Sequence, residues 1–218
     1  MMQLDSSAMY AALMHELKNN LGLLTMTLDA IPMNGTAEHD GRVDDARLLC
    51  QRSVDRLQQA LLSYKAMNKE LHPVPDAYSP LEILRDLRDT AMSLARGRLS
   101  VDTLVGDQVP PIWFFDRSLV EMALMNAIHN SLAHAGTGIR IEADMVDGCL
   151  AFTVRDDSAG YPDSILGLGP AEEKPGKGGT GLGLKFARLI AEAHENRGRL
   201  GELRLFNDQG AVFRFLLP

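Results

Sequence analysis

Apolar residues recur at three- and four-residue steps over the N-terminal part of the chain. Tyr10, Leu13, Leu17, Leu21, Leu24, Leu28 and Ile31 make one seam, which predicts an amphipathic helix. Pro32 stops it, and Asn34-Gly35 marks a turn. A second seam runs through Val43, Ala46, Cys50, Val54, Leu57, Leu61 and Tyr64, with Arg47, Arg52, Asp55, Arg56 and Lys65 between them on a solvated side. Two helices joined by a short loop form a hairpin, and a lone hairpin leaves both seams half covered. A homodimer closing a four-helix bundle is the simplest way to bury them, so a dimer is expected.

His72-Pro73-Val74-Pro75 cannot continue a helix, because each proline restricts the residue before it. This places a domain boundary there, with a helical hairpin over residues 1–72 and a second domain over residues 78–218. Ser79-Pro80-Leu81-Glu82 reads as a capping box with proline at the first helical position, opening a helix that runs to about Arg96 and stops at Gly97. Leu99 to Leu104 reads as a strand. Asp116 caps a helix from Arg117 to about Ala135, ended by Gly136. Ile139–Met145 and Cys149–Arg155 read as a hairpin around Asp147-Gly148. Residues 160–179 are rich in glycine and proline and lack periodicity, which predicts a long loop. A helix from about Leu182 to Ala193 follows, then a hairpin of Leu203–Phe206 and Ala211–Leu217. Strand pairs alternating with helices predict an α+β fold: a two-layer sandwich behind the helical hairpin.

Composition narrows the function classes. The 218 residues are 45% hydrophobic, enough for a folded core. A formal charge of −7 counts against nucleic-acid binding, which needs a basic face. Cys50 and Cys149 match no metal spacing and read as thiols in a reducing compartment. No apolar run is long enough to span a membrane, and the start lacks the pattern of a secretion signal, so a cytoplasmic protein is expected.

Three segments carry candidate chemistry. Gly178-Gly179-Thr180-Gly181-Leu182-Gly183-Leu184 stands directly before a helix, where backbone N–H groups and the helix N-terminus favour a phosphate. It lacks the Gly-Lys-Ser/Thr of a Walker loop. Asn126 and Asn130 are four apart in an otherwise apolar helix and so share a face, where amide oxygens suit a hard cation such as Mg²⁺. Asp156-Asp157-Ser158-Ala159-Gly160-Tyr161-Pro162 follows a strand. There a carboxylate can accept a hydrogen bond from the amino group of adenine while Gly160 keeps the backbone close. Upstream, Met14-His15-Glu16-Leu17-Lys18-Asn19-Asn20 projects His15 off the apolar seam. A neutral imidazole there can attack a phosphate, with Glu16 able to take or orient its proton and Asn19 one turn on.

Taken in this order, the segments resemble the boxes of the sensor histidine kinase family over about residues 5–218. His15-Glu16-Leu17-Lys18-Asn19 resembles the phosphoacceptor box, Asn126 to Asn130 the asparagine box, Asp156 to Gly160 the first glycine box, and Gly179 to Leu184 the second. The resemblance implies that ATP is bound through Asn126, Asn130, Asp156, Gly160, Gly179, Thr180, Gly181, Leu182 and Gly183, with Mg²⁺ on Asn130. It also implies that His15 is the phosphoacceptor, Glu16 the kinase base and Asn19 the phosphatase residue. Four features depart from the family pattern. Asn20 replaces a proline that often follows the phosphoacceptor box, Ala133 replaces a common lysine, Ser158 replaces a glycine, and Ser164 to Ala171 holds no recognisable aromatic box. Lys174, Lys177 or Lys185 can supply the missing phosphate contact.

The expected function is a sensorless kinase core that phosphorylates itself on His15 and passes phosphate to an aspartate on a response regulator, with its signal arriving through a separate sensory protein. Two alternatives stay open. One is a phosphotransferase or response-regulator phosphatase with a weakened ATP site. The other is a serine kinase on the same ATPase fold, against which the histidine hairpin counts.

Overall fold

A computed structural model describes residues 71–166 and 182–218, together with positions 16, 20, 23, 24 and 26. The chain divides into two compact units, Met1–Glu70 and Leu71–Pro218. The five described positions of the first unit are helical, with Leu24 half-buried and Leu23 and Met26 exposed. The expected helical hairpin and its dimeric bundle otherwise lie outside the described residues. No helix among the described residues is long and apolar enough to cross a membrane.

In the second unit, local signals start and stop the helices. Ser79 accepts a hydrogen bond from the Glu82 N–H and opens α1 (Pro80–Ala95), which ends on Arg96 in the left-handed region followed by Gly97. Asp116 accepts from the Leu119 N–H and opens α2 (Arg117–His134). A short turn of helix, α3 (Asp163–Leu166), lies within the stretch expected to be loop. The last helix, α4, spans Leu182–Ala193.

Among the described residues nine strands accompany them: β1 (Asp76–Tyr78), β2 (Ser100–Val105), β3 (Trp113–Phe115), β4 (Gly138–Val146), β5 (Cys149–Asp156), β6 (Glu195–Asn196), β7 (Arg199–Leu200), β8 (Glu202–Asn207) and β9 (Ala211–Leu217). Five form the main sheet in the order β2-β4-β5-β9-β8. Its β2–β4 pair is parallel and the others are antiparallel. Asp147 and Gly148 both take positive φ in the β4–β5 turn, as a tight hairpin of this twist requires.

Register explains the two faces. Ile141, Val154, Phe213 and Leu205 stand in one cross-strand row, and Ala143, Phe152, Phe215 and Leu203 in the next. These rows are mostly buried, and α1, α2 and α4 pack against the sheet. The alternate row, Glu142, Thr153, Arg214 and Arg204, is polar. Arg155 pairs with Glu142 at 3.2 Å, Arg214 donates to the Thr153 hydroxyl and lies over the Phe206 ring, and Arg204 pairs with Glu202. An α+β architecture with helices on a mixed sheet is therefore present.

Two small ribbons were not expected. Strand β1 pairs with β3, and β6 with β7. The first is pinned from both ends. Tyr78 stacks at a tilt on Phe115, which meets Phe152 edge-on, while the Val74 N–H donates to Asp116.

Candidate functional site

Helix α2 presents Asn126, Asn130 and Ser131 at four- and five-residue spacing. Asn130 Nδ2 donates to Asn126 Oδ1 at 3.3 Å, so the two amides face one another as their spacing requires. With its Nδ2 so engaged, exposed Asn130 retains Oδ1 as the atom a cation would meet. No cluster of three or more His, Cys, Asp or Glu side chains suited to a metal occurs among the described residues. The asparagine amide is thus the donor type on hand, and Mg²⁺ accepts one or two protein oxygens when phosphates and waters supply the rest. These residues fit that ion.

Asp156 ends β5 beside them. Its Oδ2 accepts from the Ser131 hydroxyl at 2.7 Å, and its Oδ1 accepts from the N–H groups of Ser158 at 3.0 Å and Ala211 at 3.2 Å. Three donors from α2, the following turn and β9 hold the carboxylate in one orientation. Ser158 stands where a glycine was expected. Its backbone is not left-handed, and its hydroxyl accepts from the Gly160 N–H at 3.1 Å. The serine therefore closes the turn rather than disturbing it, a common use of short hydroxyl side chains.

Gly160 does need to be glycine. Its φ is +86°, and a Cβ there would stand 2.6 Å from Asn207. Asn207 reaches across from the β8–β9 hairpin. Its Oδ1 accepts from the Tyr161 N–H at 2.7 Å and its Nδ2 donates to the Tyr161 carbonyl at 2.9 Å. Burial, and then the nearby Asp156 charge, push the Tyr161 phenol well above the ordinary tyrosine value, so it stays protonated.

Asp157 faces the other way and ties the exit of α2 to the end of β5. It accepts from the Thr137 hydroxyl and from the N–H groups of Gly136, Thr137 and Gly138. Those bonds, the Thr137 hydroxyl first, pull its pKa down to about 2.

Helix α4 completes the arrangement. Gly183, in its first turn, lies so close to the Asn126 amide that a Cβ would overlap it. The start of α4 thus abuts the asparagine face of α2. At its far end α4 carries His194, which is 4% exposed. His194 Nε2 accepts from the Asp116 N–H at 3.1 Å, so the proton sits on Nδ1 and is donated to the Ile190 carbonyl at 2.8 Å. Burial lowers its pKa, which keeps the ring neutral.

Asn126, Asn130, Asp156, Gly160 and Gly183 are therefore brought together. Ala133, where a lysine was expected, is exposed on α2, and Lys185 is half-buried on α4. Gly179, Thr180 and Gly181 lie outside the described residues, as do Lys174 and Lys177, and Leu182 is the first residue of α4. His15 and Asn19 also lie outside them, and Glu16 is a half-buried helical residue of the first unit. Sequence reasoning missed Ser131, Asn207 and Ala211 as partners of this loop. Only their tertiary pairing identifies them.

Residues 115–218 match the family model described as histidine kinase-, DNA gyrase B- and HSP90-like ATPase. The alginate biosynthesis sensor protein KinB of Pseudomonas aeruginosa is 32% identical over 126 residues, 56% of this chain and 20% of that protein. The histidine protein kinase DivJ of Caulobacter vibrioides is 27% identical over 198 residues, 87% of this chain and 28% of that protein. The chain thus spans under a third of either relative. Among solved structures, histidine kinase ThkA in complex with the response regulator protein TrrA superposes with a TM-score of 0.63 at 17% identity, covering 97% of this chain and 61% of that one, a likeness of fold. Residues 115–218 thus form a domain of the histidine kinase-, DNA gyrase B- and HSP90-like ATPase family, and the relatives similar to this chain include histidine kinases.

Proposed function

We propose that the chain is a soluble, cytoplasmic histidine kinase core. It phosphorylates itself on His15 from Mg-ATP and passes the phosphate to an aspartate on a response regulator. Residues 1–72 act as a dimerising phosphotransfer hairpin and residues 78–218 as the catalytic domain, in a homodimer governed by a separate sensory protein. The observation that carries the reading is the convergence of Asn126, Asn130, Asp156 and the start of α4 on one place.

In this reading Asp156, held by Ser131, Ser158 and Ala211, accepts the adenine amino hydrogen. Gly160 lets the loop lie against the base. The N-terminus of α4, with Gly179, Thr180, Gly181, Leu182 and Gly183, receives the phosphates with backbone N–H groups and its dipole. Asn130 offers its amide oxygen to the metal and Asn126 orients it. Mg²⁺, when bound, offsets the phosphate charge. A His15 ring nitrogen attacks the γ-phosphorus, the bond to the β-phosphate oxygen breaks, ADP leaves, and Glu16 takes the ring proton. Receiver-domain transfer is supported by the ThkA–TrrA complex, whose kinase shares this fold.

A second reading is a phosphatase acting through Asn19 with weakened ATP use. Ala133 favours it, because it removes a cation near the phosphates. Incubation with γ-labelled ATP decides between them. Acid-labile label on the wild type that disappears in His15→Ala is expected. No label, with label instead lost from a phosphorylated receiver domain, favours the second reading.

A further inference from the structure

The β8–β9 hairpin has a task that neither strand pairing nor the nucleotide contacts describe. Its turn, residues 207–211, encloses the Asp156–Tyr161 loop from behind. The Ala211 N–H donates to Asp156 Oδ1, and Asp208 pairs with Arg155 at 2.8 Å. A Cβ at Gly210 would overlap the Asp156 carbonyl, so the turn and the loop are in backbone contact. Asn207 makes the most directed contact. Its amide oxygen and nitrogen engage both the N–H and the C=O of one residue, Tyr161, at 2.7 and 2.9 Å. A planar amide laid on a peptide in this way mimics one rung of a β-ladder. It holds a segment that no strand pairs. Only one assignment of the Asn207 oxygen and nitrogen satisfies both bonds, so the geometry fixes the side chain as well as the loop. Gly160, at φ +86° and with no Cβ, is what lets the amide approach.

We infer that Asn207 is a positioning residue for base recognition, acting through the Gly160-Tyr161 peptide on the wall beside Asp156. The inference rests on the ATP-binding reading above. Its chemistry is preorganisation. The Asp156 carboxylate discriminates adenine from guanine only if the loop that follows it stays in register with the base, because a carboxylate accepts from an amino group and repels a carbonyl oxygen in the same place. With Asn207 intact the loop is held before the nucleotide arrives. Without it, binding must order the loop, and affinity falls by that cost.

The test uses the full chain and a non-hydrolysable ATP analogue, titrated by calorimetry into the wild type, Asn207→Ala, Asn207→Asp and Asp156→Ala, with the GTP analogue as comparison. Amide hydrogen exchange on the nucleotide-free proteins reports the loop directly. Asn207→Ala is expected to expose the Tyr161 amide to fast exchange, weaken ATP-analogue binding about tenfold and narrow the ratio of ATP to GTP affinity, with little change in melting temperature. Asn207→Asp keeps the acceptor for the Tyr161 N–H and loses the donor, so it falls between. Unchanged affinity in Asn207→Ala, while Asp156→Ala abolishes binding, overturns the inference and leaves the ATP reading intact. So does a loss of affinity with an unchanged ATP-to-GTP ratio and a lowered melting temperature, which marks a role in folding alone. A wild type that binds no adenine nucleotide overturns the parent reading and this inference with it.

Discussion

At the scale of single residues, two titratable groups tie the second unit together from opposite sides, and they act in separate pH windows. Asp157 gathers the N–H groups of Gly136, Thr137 and Gly138 and the Thr137 hydroxyl, and its pKa falls from 3.8 to about 2. A depressed folded pKa means that the folded state binds fewer protons than the unfolded chain between those values, so this contribution is full above pH 4 and lost as pH falls toward 2. Asp157→Ala should therefore melt below the wild type at pH 7, and the difference should shrink on acidification through that window, as circular dichroism melts can follow. His194 behaves differently. Burial lowers its folded pKa below the unfolded value of 6.5, so the unfolded chain takes up the proton first and stability falls as pH drops below about 6.5. A proton on Nε2 would also face the Asp116 N–H that now donates to it. The melting temperature of the wild type should fall more steeply between pH 7 and 5 than that of His194→Gln. Equal slopes would show that the ring does not titrate with folding. Neither role was legible in the sequence. Asp157 meets Gly136 across 21 positions and His194 meets Asp116 across 78, and no local pattern encodes such pairs.

At the scale of elements, legibility tracked the strength of local signals. The Ser79 and Asp116 caps, the Asp147-Gly148 turn and the span Leu182–Ala193 were readable because each rests on chemistry within a few residues. The ribbons β1–β3 and β6–β7 were not, because strands of two or three residues carry no period. The turn Asp163–Leu166 hid in a stretch whose glycines and prolines read as loop. Two glycines turn element packing into tests. Gly201 lies where a Cβ would press on the backbone carbonyls of Ala191 and Leu216, between α4 and β9. Backbone cannot step aside, so Gly201→Ala should cost about 2–3 kcal/mol in a denaturant titration. At Gly183 the atoms that a Cβ would press on first are the movable end of Asn126. Alanine is the better helix former by up to about 1 kcal/mol, so Gly183→Ala should keep or raise stability. It should still weaken ATP-analogue binding several-fold by displacing Asn126. A stable variant with unchanged binding would separate Asn126 from the nucleotide site.

At the scale of the whole molecule, the division at Glu70 and Leu71 separates what holds the nucleotide from what is phosphorylated in the proposed function. The unit Leu71–Pro218 carries its own core, from Ile83, Leu84 and Leu87 on α1 through Val120, Leu124 and Ile128 on α2 to Phe186 and Ile190 on α4, closed on Phe152, Phe213 and Phe215. Every described residue proposed to touch ATP lies in it. A core of that extent needs no contribution from the first 70 residues to bury its apolar surface, so the unit should fold alone and keep the nucleotide site. Expressed as residues 71–218, it should melt in one cooperative transition and bind the ATP analogue within about threefold of the full chain, a difference of roughly 0.6 kcal/mol. It should take no label from γ-labelled ATP, because His15 lies in the other unit, while the full chain becomes labelled. Label on the isolated unit would place the phosphoacceptor elsewhere in the chain. An isolated unit that folds but fails to bind the analogue would mean that the site requires the first 70 residues, which the packing around Asn126, Asp156 and Gly183 gives no reason to expect.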